Sequence, residues 1–76
     1  MAMLRIIDRL YGDKQLVWRA DDKESKEKAL QEFNDRIKQG WLAFIPKGDN
    51  PKQGKQIRDF DENAETIIMT PAATGG

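Results

Sequence analysis

The chain contains no cysteine and no histidine. The first absence excludes disulfides and thiolate metal sites as sources of stability. The second removes the commonest metal ligand and general base. An excess of charge is missing as well, because 13 Lys and Arg balance 13 Asp and Glu. A dedicated nucleic-acid binder normally gathers a basic excess on one face, so the balance argues against that class. No apolar run approaches the roughly 18 residues that suggest a membrane span, and no signal-peptide pattern opens the chain. The expectation is a cytoplasmic protein without cofactor or metal, and with neither nucleic acid nor membrane as partner.

What is present must fold by side-chain packing alone. The 76 residues make one domain. A domain of this size buries only about 60% of the surface its unfolded chain exposes, so the core is thin. With 34% charged and 38% hydrophobic residues, the composition suits a folded domain under a heavily solvated surface. Met1-Ala2 reads as an added expression start before a native Met3. That leaves 3–70 as the domain and 71–76 as a C-terminal tail.

Residues 3–10 place Leu4, Ile6 and Leu10 on one face and Arg5, Ile7 and Arg9 on the other, an imperfect period of two. Tyr11-Gly12-Asp13-Lys14 supplies a turn. Leu16, Trp18 and Ala20 then share one face of 14–20, so the first stretch predicts a β-hairpin. Asp21 to Glu24 opens a helix with capping-box-like spacing, and its acidic residues suit the positive end of the helix dipole. Ala29, Leu30, Phe33 and Ile37 form its apolar stripe, with Leu30 and Phe33 expected in the core. Gly40 ends it where a left-handed residue is wanted.

Residues 41–46, WLAFIP, are a continuous apolar run that predicts a strand buried on both faces. The stretch 47–55 is dense in turn formers and reads as a loop. A short strand over 56–60, a turn over 61–64 and a β-branched strand over 65–70 complete the domain. The fold class is α+β.

After that strand comes Pro71-Ala72-Ala73-Thr74-Gly75-Gly76, which carries no charged side chain. The element order closing on such a tail resembles the ubiquitin-like β-grasp family. The tail is most similar to that of the sulfur-carrier branch, the small subunit of molybdopterin synthase and the thiamine-pathway sulfur carrier. Glu65 stands at the acidic position that opens the last strand, Ile67, Ile68 and Met69 are apolar, and Pro71 precedes the small residues. At the level of residues the resemblance is confined to this C-terminal stretch. It implies a mixed sheet of four to five strands in ββαβββ order on one helix, with first and last strands adjacent and parallel.

The resemblance also implies a carrier rather than an enzyme. Gly76, preceded by Gly75, would be the point of covalent activation, with Pro71 and Thr74 presenting the tail. The implied partners are an adenylating enzyme of the ubiquitin-activating kind, then a target protein or a sulfur-accepting enzyme. A free carboxylate is a poor acyl electrophile, and joining it to AMP supplies a leaving group that a thiol, sulfide or amine can displace. None of this requires a base, metal or cysteine on the carrier. Glycines without Cβ pass a narrow channel, and Pro71 favours an extended exit. Six residues reach up to about 20 Å. Being uncharged, the tail loses little solvation on entering such a channel.

An exposed apolar pair is expected beside the tail, Ile67 with Met69 or else Ile68 with Thr70, and Ile67, Met69 and Phe60 are the candidate docking residues. Trp18 and Trp41 read as core or rim packing. The stretch 48–55, GDNPKQGK, lacks the spacing of a phosphate loop. No pair of carboxylates falls convincingly in one cleft, so autonomous hydrolase chemistry is unsupported. The rival reading is a non-covalent interaction module, such as a virion, secretion or accessory-complex subunit using a sheet edge. A weaker one is a nucleic-acid-associated sheet stacking bases on Trp18 or Trp41.

Overall fold

The computed structural model describes residues 1–8, 10, 12–47 and 50–72, with 50–53 described by their backbone. Thr74, Gly75 and Gly76 lie outside the described residues.

Five strands and one helix follow in the order β1 (Ala2–Ile6), β2 (Lys14–Trp18), α1 (Lys23–Lys38), β3 (Leu42–Lys47), β4 (Asn50–Ile57) and β5 (Thr66–Thr70). They form one mixed sheet in the order β2-β1-β5-β3-β4. The first and last strands run side by side and parallel, Leu4 opposite Ile67. The amide of Met3 donates to the Glu65 carbonyl, and that of Ile7 to the Met69 carbonyl, at 2.9 Å each. The helix packs on one face of this sheet, a β-grasp-like α+β arrangement.

Leu4, Ile6, Trp18, Ala43, Ile67 and Met69 share the face toward the helix and are fully buried with Ala29 and Phe33, while Ala2, Leu16 and Ile45 pack partly buried against them. Phe60, on the β4–β5 connection, closes this core from the side. Its ring centroid lies 4.9 Å from Trp18 and 5.7 Å from Phe33, in tilted and edge-on geometry, as aromatic quadrupoles prefer. The Trp18 indole Nε1 donates to the Glu62 carbonyl at 3.4 Å. Lys26 ties the same connection to the helix through Glu62 at 3.1 Å.

The helix N-cap is Asp22, one residue later than the Asp21 of the spacing argument; its carboxylate accepts from the amides of Glu24 and Ser25. Asp21 instead lies exposed beside Arg19. Gly40, at φ +94°, follows the helix end as expected, and Gly12, at φ +84°, serves the first turn.

Further expectations need correction, among them the strand expected over 56–60, which ends at Ile57 as part of β4. Leu10 is not on the inner face of β1: the β1–β2 pairing ends at Ile6 opposite Lys14, and Leu10 stands 85% exposed in the connection. Leu30 is also not a core residue, because Ala29 and Phe33 define the buried stripe and leave it at the solvent margin, 38% exposed. The 41–46 run is not buried on both faces: only Ala43 is fully buried in β3, since the sheet has a helix on one side alone. Finally, most of the expected loop 47–55 is strand. β4 begins at Asn50, paired with Lys47, and a register shift between Ile45 and Lys47 accommodates it. An edge strand tolerates the proline, glycine and lysines that argue against a central one.

Candidate functional site

The tail leaves from the middle of the sheet. β5 is flanked by β1 and β3, and its final residue Thr70 is paired with Leu42 in antiparallel register. Pro71 and Ala72 follow, both exposed. All the strand residues of β5 are thus placed before the tail begins, and the two described tail residues add nothing to the core. Next to this exit lies a groove of about 250 Å³ between the helix end and the β3–β4 ribbon, with Trp41, Leu42, Ile57 and Arg58 among its walls. Trp41 is held there from above: the Arg36 guanidinium sits 4.5 Å from its ring centroid, a cation–π contact, while the Trp41 amide donates to the Arg36 carbonyl at 2.9 Å.

Arg36 also pairs with Glu32 at 3.3 Å, and Glu32 with Lys14 of β2 at 3.2 Å. Burial raises the Glu32 carboxyl, but the hydrogen bond and charge of Lys14, joined by those of Arg36, outweigh it and hold the pKa below its usual value. This network links β2, the helix and Trp41. No group of His, Cys, Asp or Glu among the described residues is arranged to hold a metal ion.

The expected docking residues separate. Ile67 and Met69 are fully buried against the helix side and present no accessible side chain, so their assignment to a docking surface is corrected. The physical reason is register: Ile67 lies opposite Leu4, and Met69 opposite Ile6 and Ala43, all core residues. The outward pair of β5 is Ile68 and Thr70, each half-buried. Phe60 is half-buried too, with both of its ring contacts turned to the core. Of the two tryptophans, Trp18 is fully buried and Trp41 is covered by Arg36, so neither forms an open stacking platform.

The open face of the sheet was not legible as a unit in the sequence. Ile68 lies opposite Arg5 on one side and Phe44 on the other, and Phe44 lies opposite Gln56. Met3 and Leu42 share this parity and are half-buried. Charge is segregated as well. Arg5, Lys14, Lys47, Lys52 and Lys55 are the charged residues of the five strands, which contain no Asp or Glu. The acidic residues all belong to the helix and the connections.

No family model matches the chain, and no curated protein or solved structure does so either. No helix among the described residues is long and apolar enough to cross a membrane.

Proposed function

We propose that the protein is a ubiquitin-like carrier whose Gly76 carboxylate is activated by an adenylating enzyme. A single observation carries this reading: β5 is a central strand parallel to β1, paired as far as Thr70, and the chain leaves it through an exposed Pro71-Ala72. The paired residues of β5 end at Thr70, before the uncharged Gly-Gly sequence starts, a separation that suits a tail serving another active site.

In the reaction a Gly76 carboxylate oxygen attacks the α-phosphorus of ATP, and pyrophosphate leaves. A nucleophile then attacks the acyl carbon and expels AMP, which takes the C–O bonding pair. A thiolate gives a thioester, a sulfur donor a thiocarboxylate, and a lysine amine an isopeptide. The carrier's residues would contribute shape: Gly75 and Gly76 lack a Cβ, and Pro71 and Thr74 would present the tail. The proline-containing apolar tail favours sulfur carriage over protein conjugation.

The half-buried apolar face around Ile68 and Phe44 favours a second reading, a non-covalent interaction module in which the tail is incidental. Removing Gly75 and Gly76 separates the two. The carrier loses all activity in its host pathway while the domain stays folded by circular dichroism; a module keeps its activity.

A further inference from the structure

Arg58 follows β4 with no counter-ion: the described ion pairs do not include it, and its exposed chain neighbour Asp59 is not paired with it. Among the described residues lining the groove beside Trp41, Arg58 alone is charged, while Ile37, Trp41, Leu42 and Ile57 make the apolar walls. The guanidinium of Arg36 above the groove is taken up by Glu32 and the Trp41 ring. An apolar groove with one free cation in its wall suits a small apolar segment that carries one negative charge.

The root of such a segment lies next to it. Thr70 pairs with Leu42 of the groove wall, and Arg58 follows Ile57, which pairs with Ala43. Because β5, β3 and β4 are successive strands, Thr70 and Arg58 stand about two strand spacings apart, roughly 10 Å. The six residues from Pro71 to Gly76 span up to about 20 Å, enough to turn back across Leu42 and Trp41 with slack.

We propose that the chain captures its own tail, Pro71 to Gly76 turning back into this groove so that the Gly76 α-carboxylate accepts from the Arg58 guanidinium. A planar guanidinium matches a carboxylate with two parallel hydrogen bonds, and the alanine methyl groups cover the apolar wall. Gly40 lies at the negative end of the helix dipole, which sets the carboxylate at the Arg58 wall and away from the helix. An acidic segment of another protein meets the same wall, but it competes with a carboxylate tethered at an effective concentration in the millimolar range. An exposed ion pair is weak by itself, so the capture is reversible. The closed form withholds Gly76 from other active sites and lowers the apparent affinity of whatever takes the tail by the open fraction. The contact shares with the carrier reading only the requirement that Gly76 be the C-terminus.

The test needs the full chain alone. Nitrogen-15 NMR spectra compare it with the same chain amidated at Gly76, a chain ending at Ala72, and Arg58→Lys, Arg58→Glu and Lys38→Glu. Amidation removes the charge and no residue, so it leaves the fold unchallenged. Amidation and Arg58→Glu are each expected to move the Trp41 indole N–H resonance by most of the difference between the full and the shortened chain. Arg58→Lys moves it less, because an ammonium lacks the planar fork. The indole resonance of Trp18, buried in the core, stays in place, and Lys38→Glu, on the exposed end of the helix, leaves both unchanged.

A Trp41 resonance unmoved by shortening or by amidation overturns the proposal. So does a Lys38→Glu shift as large as that of Arg58→Glu, the mark of diffuse attraction. Shifts that grow with protein concentration assign the groove to the tail of a second copy and overturn it as well. Each of these results leaves adenylation of Gly76 undecided. A captured tail that no adenylating enzyme modifies upholds the capture and sinks the carrier reading.

Discussion

Thr70 lies opposite Leu42, the last antiparallel pair between β5 and β3. Leu42 also walls the groove beside Trp41 and Arg58. The root of the tail is therefore set inside the sheet, against β3, and not at its edge. The alternation that buries Ile67 and Met69 turns Ile68 and Thr70 outward. Core-facing and open-face side chains thus alternate along one short strand.

That division is measurable. Ile67→Ala is expected to cost about 2–5 kcal/mol in urea denaturation, as for a fully buried aliphatic residue. Ile68→Ala, half-buried on the open face, is expected to cost about 1 kcal/mol. Equal losses would contradict the assigned parity.

At the helix start, Asp22→Ala should lower stability by about 1 kcal/mol through loss of the cap to Glu24 and Ser25. Asp21→Ala should stay within about 0.5 kcal/mol, because its exposed pairing with Arg19 at 3.7 Å contributes little. Thermal melts of the two variants distinguish the positions.

Gly54 is required by close backbone approach. A Cβ there would stand 2.5 Å from the Ile45 carbonyl oxygen. Neither backbone can yield without disturbing the β3–β4 register, so Gly54→Ala should destabilise by about 1–3 kcal/mol. Amide exchange should rise in β3 and β4 ahead of β1.

Glu32 predicts an acid-side signature. Its native pKa lies below the ordinary 4.5, so the ionised form is the one that the fold favours. The stabilisation is complete above the unfolded value and fades as pH falls through the lower native one. Wild type should exceed Glu32→Gln by less than about 1 kcal/mol near neutrality, given the half-exposed Lys14 partner. The gap should close in acid. A gap that persists or widens at low pH would contradict the Lys14–Glu32–Arg36 assignment.

Much of the architecture was readable from local pattern. Apolar alternation marked β1 and β2, the Ala29–Phe33–Ile37 spacing marked the helix, and the β-branched run marked β5. The misread strand faces share one cause: local pattern does not say what lies above or below a strand. Ile67-Ile68-Met69 is apolar at every position, so a period of two cannot tell inside from outside until Ile67 is set opposite Leu4. The 41–46 run looked doubly buried because its outward residues, Leu42 and Phe44, are apolar on a face that no helix covers. β4 was hidden by Pro51 and Gly54, residues that an edge strand can hold. Arg5 looked like an ordinary outward charge, and only the pairing of β1 with β2 and β5 places it among neighbours that give its Nε no acceptor. Gly75 and Gly76, with Thr74, lie beyond the described residues, so their role rests on the resemblance and on chemistry.

The central claim concerns the Gly76 carboxylate, and intact-protein mass spectrometry addresses it most directly. The full chain is incubated with ATP and its cognate adenylating enzyme, with an established carrier reacting in parallel. The account predicts an adenylate on Gly76, converted by a sulfur donor to the thiocarboxylate or by a target amine to a conjugate. An unchanged mass, while the parallel carrier is modified, would contradict it.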